Sequence, residues 1–258
     1  MRGRGRARQA AATGRPAEDL KNVQRPILFV SAVAAGLFLA GCVREARIAM
    51  PAALAASTER LELRGLGGGT SGRFDLAGAE GRFTRTAERI AAFDPAFVRH
   101  RGGGSFDVTA SPKAGALGGL CAYREARGSI GPLSVTPRRL SYSCDFARDG
   151  RPMAAGLVIE NPASAFGTLH GREERIGTLH FEGREIGVRS IHRDAGGGLP
   201  VPHALGYLFE ADGRAIGAVD LNGGNKTIFA PRSGADREAV IAGAVALSIF
   251  WDPAEVQS

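Results

Sequence analysis

No Gly-x-Ser-x-Gly elbow, no His-Glu-x-x-His pair and no Walker loop occurs in these 258 residues. The first absence removes the usual signal of an α/β-hydrolase, whose strained strand-to-helix turn presents a serine. The other two remove the common zinc-peptidase and nucleotide-phosphate signatures. Histidines are few: His100, His170, His180, His192 and His203. None pairs with another at tight ligand spacing. The last four recur at 10–12 residue intervals, and three on one barrel face could hold zinc. The expectation is solvated or hydrogen-bonded histidines, with no metal and no cofactor. The runs Gly67–Gly69, Gly102–Gly104 and Gly196–Gly198 do not lead from a strand into a helix, so they read as flexible loops rather than phosphate cradles. Asp220–Asn225 offers oxygen ligands without EF-hand spacing and reads as a turn.

Charge is unevenly spread. The chain carries a formal +7, which by itself suggests a nucleic-acid partner. Residues 1–25 hold seven of the basic residues and two of the acidic ones, and residues 26–41 hold none of either. The remainder has 26 basic against 24 acidic residues, so no nucleic-acid function is inferred. Residues 1–25 form a basic, low-complexity lead without apolar periodicity. Pro26–Gly41 is an uncharged h-region, and together they make a secretory signal. Leu39-Ala40-Gly41-Cys42 resembles the bacterial lipobox. That resemblance implies cleavage before Cys42, a lipid on Cys42, and an envelope location, at the outer membrane facing the periplasm. The alternative is an uncleaved anchor followed by an incidental cysteine.

Only two further cysteines exist, Cys121 and Cys144, each in a strand-like run. An even pair in an oxidising compartment predicts a disulfide. It would close a loop of about 23 residues and contribute about 3 kcal/mol. Two free buried thiols are the alternative. Residues 42–58 read as a lipidated tether with at most a short helical piece, and residues 59–258 as one domain.

That domain reads as mainly β. Arg60–Arg64 alternates with period two, as do parts of Gly104–Thr109, Leu140–Phe146, Gly156–Glu160 and Arg175–Phe181. A weak repeat joins GTLHFEGREIGV from Gly177 to GYLFEADGRAIGA from Gly206, with looser copies at Phe74…Gly81-Arg82-Phe83 and Phe146…Gly150-Arg151. Each copy puts glycine where a hairpin turn wants positive φ. The four following arginines read as solvated turn residues rather than an anion-binding ring. Arg172–Arg175 and Arg184-Glu185 read as charged surface, and Gly196–Pro202 as a loop at a barrel mouth.

Near the end, Ala239–Trp251 passes thirteen residues without a charge. A helix apolar all round is buried or spans a membrane. At 1.5 Å per residue this one covers about 20 Å, short of the roughly 30 Å of a bilayer core. A core helix over Ala235–Trp251 is therefore expected. Ser233 and Asp236 suggest a capping box, and Asp252-Pro253 is the stop. The alternative is a helix lying on one face of a sheet, which should show a polar stripe; only Ser248 interrupts this one. Short strands before an apolar helix predict a single antiparallel barrel, or a strongly curved meander sheet, enclosing that helix.

The terminal stretch ADGRAIGAVDLNGGNKTIFAPRSGADREAVIAGAVALSIFWD resembles the C-terminal part of the tubby-like superfamily, which includes tubby proteins, LURP-one-related proteins and phospholipid scramblases. The resemblance implies a twelve-stranded barrel around a buried C-terminal helix. It covers about 45 residues and carries over no ligand residue. The functional expectation is a non-enzymatic envelope lipoprotein that binds an amphiphile or lipid, or a partner protein, at the barrel surface. A structural lipoprotein acting only by protein contacts is the second reading. A hydrolase or metal enzyme using His180 or His192 is the third.

Overall fold

The computed structural model describes residues 46–92, 97–109, 115–130, 133–162 and 173–252. The lead, the h-region, Cys42, His170 and Arg172 lie outside the described residues, as does the Pro253 stop. The chain divides into two units after Cys42, and everything described belongs to the second.

Twelve antiparallel strands close into a barrel, each paired with its neighbours in sequence and β1 with β12. They are β1 Thr58–Arg64, β2 Ser71–Leu76, β3 Ala79–Ala92, β4 Phe97–Thr109, β5 Ala116–Ile130, β6 Leu133–Arg148, β7 Arg151–Glu160, β8 Ile176–Phe181, β9 Arg184–Ile191, β10 Gly206–Ala211, β11 Arg214–Asp220 and β12 Lys226–Pro231. A short helix α1, Ala52–Ser57, precedes β1, and α2, Ala235–Ile249, follows β12.

One end of the barrel is made of tight turns. Ala77-Gly78, Asp149-Gly150, Glu182-Gly183 and Asp212-Gly213 all have both central residues at positive φ. That is the type I′ geometry whose twist matches flanking strands. Three of these turns are the expected repeat turns, followed by exposed Arg151, Arg184 and Arg214. The fourth corrects the repeat: the β2–β3 turn is at Ala77-Gly78, and Gly81 lies inside β3. A Cβ there would stand 2.2 Å from Phe74 Cζ, so glycine makes room for that ring. The opposite end, the loop end, carries the longer connections, among them 65–70, 192–205 and 221–225.

Alternation sorts the side chains. In β6, Leu140, Tyr142, Cys144 and Phe146 are buried inside, while Ser143 and Asp145 face out. Cys121 and Cys144 are direct cross-strand partners on the inner face, joined by a disulfide with an S–S distance of 2.11 Å.

Helix α2 enters at the turn end and runs along the barrel's interior. Ala239, Val240 and Ala242–Ile249 are buried, with Ile241 half-buried, so the enclosed arrangement holds and the one-faced alternative does not. Gly243 keeps the rod thin against Phe209 and Leu179. Tyr142 donates its hydroxyl to the Ala246 carbonyl at 2.6 Å.

Both helix ends differ from expectation. The N-cap is Gly234 at φ 91°, without a side-chain cap. Ser233 is exposed, and Asp236 instead takes Arg184 Nε at 2.7 Å. The turn-end hairpins thus anchor the first turn, with Arg148 also bonding Glu238 at 2.8 Å. The helix ends at Ile249, two residues short of Trp251, because Phe250 turns extended and stacks on Tyr142.

The expected tether over residues 42–58 is mostly part of the fold. Residues 46–57 run as a strap along the outer wall. Ile48 bridges Asp194, and Ile48 and Leu54 bury themselves with Ile191, Leu205, Leu208 and Ala218. This second core covers β9–β11 from outside, so β10 is buried on both faces. Of the expected tether, residues 42–45 lie outside the described residues and Thr58 opens β1.

Gly102–Gly104 is not a loop either. It lies within β4, where Cβ atoms would meet Thr86 O at 2.1 Å, Cys121 O at 2.4 Å and Thr84 O at 2.6 Å. The run lets the wall coil tightly where β3–β6 continue past the rest of the barrel. β2 pairs with β3 only as far as Thr84, and β7 with β6 only from Ser141. Beyond those points β3, β4, β5 and β6 project from the loop end as a four-stranded extension, with register shifts in β5 after Arg124 and after Ala126.

Candidate functional site

The helix fills the axis, so candidate sites lie at the loop end and on the outer wall. Three features are built there.

The first is an alternating chain of charge that plugs the loop end. Arg127 on β5 holds Glu125 Oε1 at 3.1 Å and grips Glu173 with two bonds of 2.9 Å. Arg175 holds Glu173 Oε2 at 2.7 Å, Asp252 Oδ1 at 2.9 Å and Asn161 Oδ1 at 2.5 Å. Arg175 is fully buried, which corrects the expectation that Arg172–Arg175 is surface; Arg184-Glu185, at the turn end, is exposed. Burial pushes the Glu125 carboxyl up, opposed by Arg127. Burial acts the same way on Glu173, but the hydrogen bonds from Arg127 and Arg175 outweigh it and hold that carboxyl low. Burial pushes the Tyr123 phenol up to about 12, with Asp252 and Glu125 adding to the effect. Each carboxylate here faces a guanidinium, though Arg175 Nε has no hydrogen-bond partner, and the network ties the end of α2 to β5 and the loop before β8. Sequence reasoning found Glu173 and Arg175 but not their partners, which lie 46 and 77 residues away.

Beside it, buried Arg85 on β3 donates to the carbonyls of Leu66, Gly67 and Gly69. Its guanidinium lies 4.6 Å from the centre of the Trp251 ring. Burial lowers its pKa. Gly67–Gly69 is thus a loop, as expected, and is pinned over the helix end.

The second feature is a groove of about 740 Å³ between the strap and β1, β11 and β12, with Arg60, Glu62, Asn225 and Phe229 in its lining. Asp220 accepts from the Ile48 N–H at 3.1 Å and from Asn222 N–H at 3.0 Å. The Asp220–Asn225 segment is therefore a turn whose carboxylate secures the strap.

The third is a groove of about 910 Å³ on the outer face of the extension. Glu88, Arg101, Arg124 and Ser141 are direct cross-strand partners in one row. Ile90, Arg99, Ala126 and Arg138 form the next. The first row continues to exposed Glu160 on β7, opposite Ser141. Residues in direct register share a face, so four arginines and two glutamates stand together there. Glu88 takes Arg101 Nε at 2.7 Å, and Glu160 accepts from the Ser141 hydroxyl. Nothing in the sequence pattern alone assembles this face, because its members come from different strands.

The described histidines do not converge. His100 is buried inside the extension, with its pKa lowered by burial and by Arg127 and Arg89. His180 is exposed on β8. His192 bonds Ser190 Oγ at 2.8 Å and the Val201 carbonyl at 3.1 Å, and His203 is exposed in the same loop. The 10–12 residue spacing thus places His192 and His203 together in one connection, not on successive strands. Among the described residues no group of three or more His, Cys, Asp or Glu is placed to hold a metal ion, and no helix is long and apolar enough to cross a membrane. No protein-family model, curated protein or solved structure matches the chain.

Proposed function

We propose that this chain is a non-enzymatic lipoprotein of the bacterial envelope, anchored through lipid on Cys42, that binds an amphiphile on the outside of its barrel. The observation that carries this reading is the filled axis. A barrel occupied by its own helix from Ala239 to Ile249 leaves no interior for a ligand, so recognition belongs to the grooves at the loop end. The likeness to the tubby-like superfamily is part of the reading, since the architecture it implies is a twelve-stranded barrel around a C-terminal helix.

The strap supports the anchoring. Because residues 46–57 are held against the wall, the chain from Cys42 to Ala46 is four residues long and reaches at most about 14 Å. Lipid on Cys42 therefore keeps the barrel close to the membrane, with its loop end nearest, where Arg47 N–H bonds Asp194 at 2.7 Å. The test is native mass spectrometry of the protein extracted gently from envelope. The expected spectrum shows a chain starting at a lipid-modified Cys42 together with a discrete, non-covalent lipid mass. A chain that retains residues 1–41 overturns the anchoring. A bare lipidated chain overturns amphiphile binding in favour of a structural role through protein contacts.

A further inference from the structure

We infer that the outer face of the β3–β6 extension is a docking surface for an anionic phospholipid bilayer. This rests on the membrane anchoring proposed above and deepens it by naming the surface and the lipid charge.

Three observations converge. The extension projects from the loop end, the end from which the strap leads back toward Cys42. β3 runs seven residues past Arg85, about 23 Å along the strand, which exceeds the roughly 14 Å allowed by the residues after Cys42. An anchored barrel therefore brings the extension within reach of the headgroups.

Charge is the second observation. Arg99, Arg101, Arg124 and Arg138 line this groove with two carboxylates, Glu88 and Glu125, of which Glu125 is already taken by Arg127, while Glu160 stands at the margin opposite Ser141. Arg99, Arg124 and Arg138 are exposed, and arginine forks suit phosphate oxygens. Excess positive charge this close to the membrane is selective for anionic lipid. The strap groove, where Arg60 faces Glu62 and Asp220, has no such excess.

The third is where the apolar groups sit. Ile90 is 43% exposed, and Phe97 lines the same groove beyond the arginines, nearer the tip. Arg99 lies over the Phe97 ring at 5.3 Å. Apolar tip and cationic collar match a headgroup region, with Phe97 toward the acyl boundary, Ile90 level with Arg99, and the guanidinium groups at the phosphates.

The full membrane-extracted protein is placed in nanodiscs of phosphatidylcholine alone or of phosphatidylcholine with phosphatidylglycerol. Hydrogen–deuterium exchange is followed over residues 86–102 and 124–140. The β3 edge past Arg85 has no paired strand on its β2 side among the described residues, so its amides report coverage. Slower exchange with phosphatidylglycerol only is expected. It should be lost at about 1 M salt, where the Debye length falls to about 3 Å. Each arginine near an anionic surface weighs about fivefold, so a variant with Arg99, Arg124 and Arg138 all changed to Glu should lose more than tenfold of the effect. The triple Gln variant should lose it as well, and shares no risk of new like-charge repulsion.

Equal exchange in the two discs overturns the inference, as does protection that survives both variants. Protection in native envelope vesicles but in neither disc overturns it in favour of a protein partner. Intact mass at Cys42 is read from the same sample, so failure of the anchoring and failure of the docking surface are separate results.

Discussion

Replacing Gly243 by aspartate or alanine tests how full the barrel axis is. A Cβ at this position would stand 2.8 Å from Phe209 Cε1 and 3.1 Å from Leu179 Cδ2. Both side chains are fully buried, so neither can swing into solvent. For Gly243→Ala, overpacking of about 1–3 kcal/mol opposes a helix-propensity gain of about 1 kcal/mol. The net expectation is a loss of about 0–2 kcal/mol. Gly243→Asp adds a carboxyl among Phe209, Leu179 and the alanines of α2, with no partner in reach. An unpaired buried charge costs about 3–5 kcal/mol, and the same overpacking applies. The total, about 4–8 kcal/mol, is comparable to the about 5–15 kcal/mol that holds a domain together. Urea unfolding followed by fluorescence of the single tryptophan, Trp251, measures both variants. Alanine should lower the midpoint modestly, and aspartate should abolish the cooperative transition. An aspartate variant that unfolds near the parent midpoint would refute an enclosed helix. An alanine variant stabilised by the full propensity gain would show that the wall around Gly243 has slack.

Two further outcomes follow from named groups. Changing both Cys121 and Cys144 to serine should cost about 3 kcal/mol from the 23-residue loop they close; an unchanged urea midpoint would mean the bond adds nothing beyond the β5–β6 ladder. His100 sits buried with Arg127, Arg89 and Glu173 near it and Glu125 directly across the ladder, and its pKa is lowered by burial and by the two arginines. The unfolded chain therefore takes up a proton near pH 6.5 that the folded chain refuses, and stability falls as pH drops below that value. Glu125, raised by burial, contributes with the opposite sign over its own range. Thermal midpoints at about pH 7.5 and about pH 5.5 should differ more in the parent than in His100→Gln; equal slopes would place the pH response elsewhere.

What was legible in the sequence is what local chemistry specifies. Period-two alternation in Leu140–Phe146 set which side chains face in. Asp-Gly and Glu-Gly pairs set three type I′ turns, and a charge-free helix set the axis. The fourth turn went astray because Gly81 and Gly78 look alike in sequence. One is glycine for its positive φ, the other for the ring of Phe74, and only packing separates them. Gly102–Gly104 misled for the same reason, since glycine that admits a neighbouring backbone resembles glycine that frees a loop. The strap does leave a signal in the sequence. Tyr207-Leu208-Phe209 is an unbroken apolar run in β10, which is buried on both faces, and a strand apolar on both faces needs a cover on each. Inside, that cover is α2; outside, it is Ile48 and Leu54. That outer cover puts the start of the domain ahead of residue 59. The loop-end network and the arginine face had no comparable signal. Their members are spaced by dozens of residues, and it is barrel closure, not any local pattern, that brings Arg99, Arg124 and Arg138 to one surface. A closed meander thus makes its walls readable strand by strand, while its surfaces are written across strands, where a single sequence is silent.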